Sequence, residues 1–135
     1  MAERARILIA DDNEMVRARI RDLICAKEEW TVCAEAANSA EAIESARKSC
    51  PDLAILDIQM PRVNGIEAAK EILRYCPNAI VLTDSMHDVN LFVPLLKDIG
   101  VKAFIPKTHI GTDLVPTVEA VLSGKSTFLP SVRTF

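Results

Sequence analysis

Short apolar runs alternate along the chain with segments whose apolar residues recur every three to four positions, and this alternation constrains the fold most. The short apolar runs are typical of buried strands. The segments with recurring apolar residues are typical of amphipathic helices. Strands alternating with helices form a parallel sheet covered on both faces. We therefore predict one doubly wound α/β domain with five helices and five parallel strands in the order 2-1-3-4-5. The predicted strands are Arg6–Ala10, Thr31–Glu35, Leu53–Leu56, Ala79–Leu82 and Ala103–Ile105.

Local signals mark several helix ends. Asn38, with a Glu three positions later, resembles a capping box. Asp113 is predicted to cap the last helix, which would put Pro116 in its first turn, where a missing N–H costs little. Gly124 suits the position just after that helix. Pro94 interrupts the fourth helical segment and predicts a late start or a distortion there.

Polar residues follow four of the five predicted strands, at the edge where sheets of this kind bind ligands. Each residue type alone is common in turns and helix caps. In the predicted strand order, however, all of them converge on one rim, and this joint placement favours a functional site. The residues are Asp11 and Asp12 after the first strand, Asp57 after the third, Thr83 after the fourth and Lys107 after the fifth.

The carboxylates of this rim predict a magnesium site. Three carboxylates within a few ångströms repel one another, and Mg²⁺, which prefers oxygen ligands, relieves the repulsion. Asp12 and Asp57 are predicted direct ligands, Asp11 a ligand through water, and the backbone carbonyl of Gln59 a further ligand. The lysine and the threonine of the rim would meet an incoming anion. This set fits phosphoryl transfer, with Asp57 as a nucleophile that forms an acyl phosphate.

Composition narrows the class of partner and the compartment. The 135 residues fit one domain, and the formal net charge of −3 argues against strong nucleic-acid binding by this segment alone. No apolar stretch approaches the roughly 18 residues of a membrane span, and the N-terminus does not read as a signal peptide, so we expect a cytoplasmic protein without a membrane partner. No two cysteines form a C-x-x-C pair, and we predict reduced, buried, structural thiols at Cys25, Cys33, Cys50 and Cys76.

Four motifs, "ILIADDNE", "LAILDIQMPRVNG", "VLTDS" and "AFIPKT", resemble the receiver domains of bacterial two-component response regulators. The resemblance covers roughly residues 4–124, and the segment "DLVPTVEAVLSGKSTFLP" is similar to the NarL/FixJ branch. It implies a flavodoxin-like (CheY-like) fold. It divides the chain into a receiver domain over residues 1–124 and a C-terminal tail or start of a linker over residues 125–135.

The resemblance also implies a role for each matching residue. Asp57 would accept a phosphoryl group from a sensor histidine kinase, while Asp11 and Asp12 would hold Mg²⁺. Thr83 would contact the phosphoryl group, and Lys107 would pair with it. Phe104 would be the switch aromatic, and Gln59 and Ser85 would tune hydrolysis of the phosphoryl group. The domain would catalyse only its own phosphorylation and dephosphorylation, so it would not be an enzyme in the ordinary sense.

The chain departs from the family pattern near the last two strands. Asp84 stands where a small residue is common, Thr108 rather than a proline follows Lys107, and the stretch from Thr83 to Lys107 is slightly long. A degenerate receiver that binds partners without phosphorylation is therefore the main alternative. A phosphatase of the haloacid-dehalogenase type is a weaker alternative, because the acidic pair of that class comes last in the chain and here it comes first. A flavin-binding module is also weaker, because the acids after the first strand would repel a cofactor phosphate.

The resemblance implies an output as well. We expect the fourth helix, fifth strand and fifth helix to repack on phosphorylation and to serve as a possible homodimer face. A DNA-binding output domain, if present, would lie outside this chain and would act in transcription regulation.

Overall fold

The computed structural model describes residues 4–60, 64–86 and 92–128. The strands are β1 (Ala5–Ala10), β2 (Trp30–Ala36), β3 (Leu53–Asp57), β4 (Ile80–Ser85), β5 (Ala103–Pro106) and β6 (Thr127–Phe128). The helices are α1 (Glu14–Cys25), α2 (Ser39–Ser49), α3 (Gly65–Tyr75), α4 (Val93–Ile99) and α5 (Ile110–Leu122), and a 3-10 turn, Lys107–His109, precedes α5.

The strands form one sheet in the order β2-β1-β3-β4-β5-β6, and every neighbouring pair is parallel. The predicted order of the first five strands and the α/β class are confirmed. Beyond the five predicted strands, a short sixth strand, β6, pairs with β5. This strand lies in the segment predicted to be a tail or linker, and burial of Phe128 accompanies its addition to the sheet.

Alternate residues of each central strand serve two separate apolar cores. In β3, Ala54 and Leu56 belong to the core under α2, α3 and α4, whereas Leu53 and Ile55 belong to the core under α1 and α5. This alternation follows from the two-residue period of a strand. Because both faces are covered, all five residues of β3 are buried, and its apolar run ends on a buried carboxylate, Asp57.

Asn38 caps α2 as predicted, since its side chain accepts a hydrogen bond from the backbone N–H of Glu41 at 2.9 Å. Gly124 follows α5 with a left-handed φ of 95°, as predicted. Pro94 lies in the first turn of α4, which begins at Val93 and so starts late. The earlier part of that segment, residues 88–91, lies outside the described residues.

The predicted cap of the last helix is wrong. The 3-10 turn after β5 already has helical backbone, so α5 begins at Ile110 and Asp113 falls inside its first turn. Asp113 is buried there, with Oδ2 3.2 Å from Nδ1 of His109. Pro116 consequently lies within the helix rather than in its first turn.

The prediction of four reduced, buried thiols is also wrong. Cys50 and Cys76 form a disulfide with a Cα–Cα distance of 5.6 Å, and Cys25 is exposed. Each bonded cysteine ends a helix: Cys50 follows α2 and Cys76 follows α3. These two helices pack side by side, which brings together residues that are 26 positions apart in the sequence. Cys33 is a half-buried free thiol, and burial raises its pKa.

The helices are short. The longest of those described, α5, has 13 residues, against about 20 for a membrane span. Within residues 4–60, 64–86 and 92–128, no helix has the length and apolar character needed to cross a bilayer. The cytoplasmic location remains a prediction.

Removal of the disulfide should destabilise the domain. A disulfide that closes a loop of this length contributes about 2–4 kcal/mol, chiefly by restricting the unfolded chain. We therefore expect Cys50→Ser, Cys76→Ser and the double variant to melt roughly 10 °C below the unreduced wild type in calorimetry. A reducing agent should lower the wild-type melting temperature to match the double variant. Cys25→Ser is the matched control, and a reductant-insensitive wild type would contradict the prediction.

Candidate functional site

A buried lysine joins two carboxylates at the carboxyl end of the sheet. Lys107 Nζ lies 2.9 Å from Asp57 Oδ2 and 2.9 Å from Asp11 Oδ2. Asp11 follows β1, Asp57 ends β3 and Lys107 follows β5, so the lysine reaches back across β4. Only 7% of the lysine side chain is exposed, so this ion pair is protected from the screening that weakens surface pairs.

The backbone orients each carboxylate so that one oxygen remains for the lysine. Asp11 Oδ1 accepts a hydrogen bond from the N–H of Asn13 at 2.8 Å, and Asp57 Oδ1 accepts one from the N–H of Gln59 at 2.9 Å. The parallel pairing of Ala10 with Leu56 places the two acids side by side. Short Asx-type turns after neighbouring strands thus build the site.

The chain turns sharply after Asp57, and Gly65 makes the close approach possible. The N–H of Gly65 donates to the carbonyl of Ile58 at 2.7 Å. A Cβ on Gly65 would collide with the carbonyl oxygen of Asp57 and with Cα of Ile58. The start of α3 therefore packs directly against the end of β3.

Asp11, Asp12 and Asp57 can converge on a single cation. One carboxylate oxygen of each lies within 4.8 Å of the others, and Asp12 is exposed while the other two are buried. An all-oxygen, anionic set with one side open to water fits Mg²⁺, which usually keeps several waters. The three predicted carboxylate ligands are thus brought together. The carbonyl of Gln59 as a further ligand remains a prediction.

The charges and burial of the site favour a cation beside the two acids. Burial raises the pKa of Asp57, although hydrogen bonds from Gln59 and Lys107 act in the opposite direction, and the charge of Asp11 adds to the rise. For Lys107, burial lowers the pKa, but the bonds to Asp11 and Asp57 outweigh it and the net pKa is raised. The lysine therefore stays charged and holds the two acids together.

Thr83 does not lie where the sequence suggested. It is inside β4, in register with Leu56 rather than Asp57, and its hydroxyl donates to the carbonyl of Ala103 at 3.2 Å. Ser85 is the residue at the end of β4, and its Oγ donates to Oε1 of Gln59 at 3.0 Å. The sequence signal that β4 extends past Thr83 to Ser85 is the long stretch between Thr83 and Lys107.

Asp84 is a buried acid that sequence reasoning noted but could not place. It is in register with Asp57, so both side chains lie on the α1 and α5 face of the sheet. It is 1% exposed, and its Oδ1 has no hydrogen-bond partner among the described residues. Burial raises the pKa of Asp84 well above its ordinary value, and the charges of Asp11 and Asp57 reinforce the shift while Lys107 opposes it.

Phe104 is buried on the opposite face, beneath α4. It is 3% exposed and belongs to the same core as Leu96 and Phe128. Its neighbour in β4 is Thr83 and its neighbour in β6 is Phe128.

A residue that sequence reasoning missed is Arg17, whose Nη1 donates to the carbonyl of Asp11 at 2.8 Å. Its position one turn into α1 gives no sequence signal of this bond.

A doubly wound parallel sheet with a lysine-bound acidic cluster at its carboxyl edge defines the receiver class of signalling domain. The family model of the response regulator receiver domain matches residues 7–119, and the chain belongs to this family. It is therefore the receiver domain of a two-component response regulator. The phosphatase and flavin-module alternatives do not correspond to this family.

The chain is similar to several transcriptional regulators and to a chemotaxis protein. It is 39% identical to chemotaxis protein CheY of Thermotoga maritima over 86% of this chain and 96% of the relative. It is 33% identical to response regulator protein VraR of Staphylococcus epidermidis over 94% of this chain and 61% of VraR. It is 29% identical to DegU of Brevibacillus brevis, again over 94% of this chain but only 54% of DegU, so the chain spans little more than half of such regulators.

Solved structures agree with the predicted class of response regulator. A LuxR-family two-component response regulator from an Aurantimonas species superposes with a TM-score of 0.89 at 31% identity, covering 97% of this chain and 94% of that one. The isolated receiver domain of RcsB from Salmonella enterica, in the presence of phosphomimetic BeF3−, gives 0.87 at 25% identity, with 97% of each chain covered.

The buried acid Asp84 should make stability fall as pH rises. The unfolded chain loses this proton near the ordinary carboxyl pKa, whereas the folded chain keeps it to higher pH, so between the two values the folded state binds more protons. We expect Asp84→Asn to melt above wild type at pH 8 without metal, with the gap closing towards pH 4.

The measurement is a series of thermal melts from pH 4 to pH 8 in a chelator. Exposed Asp98→Asn is the matched control and should follow wild type throughout. A gap between Asp84→Asn and wild type that does not vary with pH would refute a proton-linked penalty at Asp84.

Proposed function

We propose that Asp57 accepts a phosphoryl group from the phosphohistidine of a sensor histidine kinase and that the resulting acyl phosphate switches the output of the domain. The observation that supports this most directly is the buried Asp57 carboxylate, held 2.9 Å from Lys107 within a cluster of acids that fits Mg²⁺. A buried nucleophile with a fixed cation on one side is suited to transfer of a charged group.

In the proposed reaction, a carboxylate oxygen of Asp57 attacks the phosphorus, the P–N bond breaks, and the histidine imidazole leaves with its electron pair and takes up a proton. Asp11, Asp12, Asp57 and the carbonyl of Gln59 would hold Mg²⁺, which supplies charge neutralisation at the phosphoryl oxygens. Lys107 is displaced from Asp57 Oδ2 and pairs with the new phosphoryl oxygens, while its bond to Asp11 keeps it within reach.

We assign the phosphoryl-contacting hydroxyl to Ser85 rather than Thr83. Ser85 ends β4 at the rim, and its partner Gln59 is the residue whose N–H donates to Asp57. Movement of Ser85 towards a phosphoryl group would break its bond to the Gln59 side chain and leave a space on the face that carries Phe104. Phe104 is then free to turn and repack α4, β5 and α5.

The output is proposed to be regulation of transcription. DegU is named a transcriptional regulatory protein, and RcsB has been solved as dimers bound to DNA. Because this chain covers only 54% of DegU, a DNA-binding domain would belong to a longer protein. The face formed by α4, β5 and α5 is the proposed site of self-association.

Asp57→Asn should abolish phosphorylation by a small acyl-phosphate donor. The amide lacks the nucleophilic oxygen anion, so labelling with acetyl phosphate in Mg²⁺, followed on a phosphate-affinity gel, should fall at least 100-fold. Exposed Asp22→Asn is the matched control and should label like wild type. Labelling of Asp57→Asn at the wild-type rate would remove Asp57 from the mechanism.

The degenerate-receiver alternative is favoured by one observation, the buried acid Asp84 next to the acceptor. A titration with beryllium fluoride in Mg²⁺ separates the two proposals. Saturable shifts of the Gln59 amide in NMR spectra support phosphorylation, whereas no shift up to millimolar beryllium fluoride supports an interaction module.

Two hydroxyl variants test the assignment of Ser85. Ser85→Ala should bind beryllium fluoride but no longer pass the change to Phe104, whose ring resonances should stay at their resting positions. Thr83→Val should respond like wild type and lose about 1 kcal/mol of unfolding free energy with its hydrogen bond to Ala103. The reverse pattern, measured by NMR and urea unfolding, would restore Thr83 as the reporting residue.

A further inference from the structure

The edge of the sheet beside the switch aromatic is covered by β6, which the proposed mechanism does not use. β6 pairs in parallel with β5, with Ala103 opposite Thr127 and Phe104 opposite Phe128. Residues opposite each other in neighbouring strands point their side chains to the same face, about 5 Å apart. Phe128 therefore stands next to Phe104 under α4.

Both phenylalanines are buried in one core. Phe104 is 3% exposed and Phe128 is 6% exposed, and both belong to the core that contains Leu96 of α4. The ammonium of Lys97, also on α4, lies 5.0 Å from the centre of the Phe128 ring, a cation–π contact. The ring of Phe128 thus connects α4, β5 and β6, the elements around the proposed output face.

The backbone contribution to β6 is small. The strand has two residues, and the N–H of Thr127 donates to the carbonyl of Lys102 at 2.9 Å. So short a strand has too few ladder hydrogen bonds to remain in place without side-chain burial. Its attachment therefore depends strongly on the pocket that receives Phe128, and Phe104 forms part of that pocket.

Phe104 lies between two neighbours on this face, Thr83 in β4 and Phe128 in β6. Ser85 is two residues beyond Thr83, so its side chain faces the same way. A ring that turns towards space vacated by Ser85 must move away from β6. Because protein interiors are close-packed, the volume that the ring leaves beside Phe128 loses its contacts.

We propose that β6 is a phosphorylation-controlled strand: Phe128 keeps it on β5 while Phe104 is in its resting position, and phosphorylation of Asp57 releases it. This inference rests on the proposed function of Asp57. It assigns the chain after α5 a role in carrying the signal, in addition to the face of α4, β5 and α5. The sequence-based expectation treated that segment as a tail.

Amide hydrogen exchange at Thr127 tests the proposal directly, because that N–H is hydrogen-bonded only when β6 is docked. The wild-type protein is compared with and without beryllium fluoride and Mg²⁺ by NMR. We expect Thr127 to exchange at least 10-fold faster in the presence of the phosphoryl mimic. The Asp52 amide, bonded to the carbonyl of Arg6 at the other end of the strands, is the internal reference and should not change.

Three variants separate the switch from simple packing. Phe128→Ala should exchange rapidly at Thr127 with or without the mimic, and Phe104→Leu should bind the mimic without accelerating Thr127. Tyr75→Leu removes a partly exposed aromatic from α3 and should respond like wild type. A Phe104→Leu protein that still accelerates Thr127 fully would overturn the coupling between the two rings.

The Gln59 amide, which donates to Asp57, separates failure of the β6 proposal from failure of the proposed function of Asp57. A shifted Gln59 amide with unchanged or slower exchange at Thr127 overturns the release of β6 and leaves the function of Asp57 intact. A Gln59 amide that never shifts shows that Asp57 does not accept the mimic, and it overturns both proposals together.

Discussion

The ammonium of Lys107 shared between Asp11 and Asp57 is the interaction on which the site depends. Two buried carboxylates so close together would not both stay ionised without a cation. The lysine supplies that charge from the turn after β5, while Asp11 follows β1 and Asp57 ends β3, so the ends of three strands are connected through one lysine and its two ion pairs. In the proposed mechanism a phosphoryl group at Asp57 competes for this lysine, so the resting ion pairs take part in the proposed switching.

Asp84 adds a second constraint to the same region. Most strand residues around Asp57 are apolar, but Asp84, a fully buried carboxyl group, lies in register with it. The cost of such a group falls when it keeps its proton, and its raised pKa follows from that. The site therefore has beside it a carboxyl group that stays neutral while it keeps its proton. This distinguishes the chain from a receiver with an apolar residue at that place.

Much of the fold and part of the site follow from the sequence for a simple reason. The order of parallel strands fixes which strand ends meet, so Asp11, Asp57 and Lys107 could be brought together from their positions alone. The end of β4 could not be found in this way, because its last three residues, Thr83–Ser85, are polar yet buried and the apolar run stops too early.

Other features were hidden because they depend on contacts between distant segments. A two-residue strand such as β6 has no sequence period, and only its pairing with β5 reveals it. The neighbourhood of Cys50 and Cys76 depends on how the ends of α2 and α3 pack. The beginning of α5 was misplaced because a 3-10 turn, which has no strong sequence signature, extends the helical backbone towards β5.

The position of the disulfide has a thermodynamic consequence. Cys50 precedes β3 and Cys76 precedes β4, so the covalent link lies at the amino ends of the two strands whose carboxyl ends carry Asp57 and Ser85. Contributions from such separated groups are usually additive. We therefore expect the link to shift the balance between folded and unfolded chains without favouring either state of the proposed switch. The stability of the fold and the proposed response of the site thus depend on opposite ends of the same two strands and can vary independently.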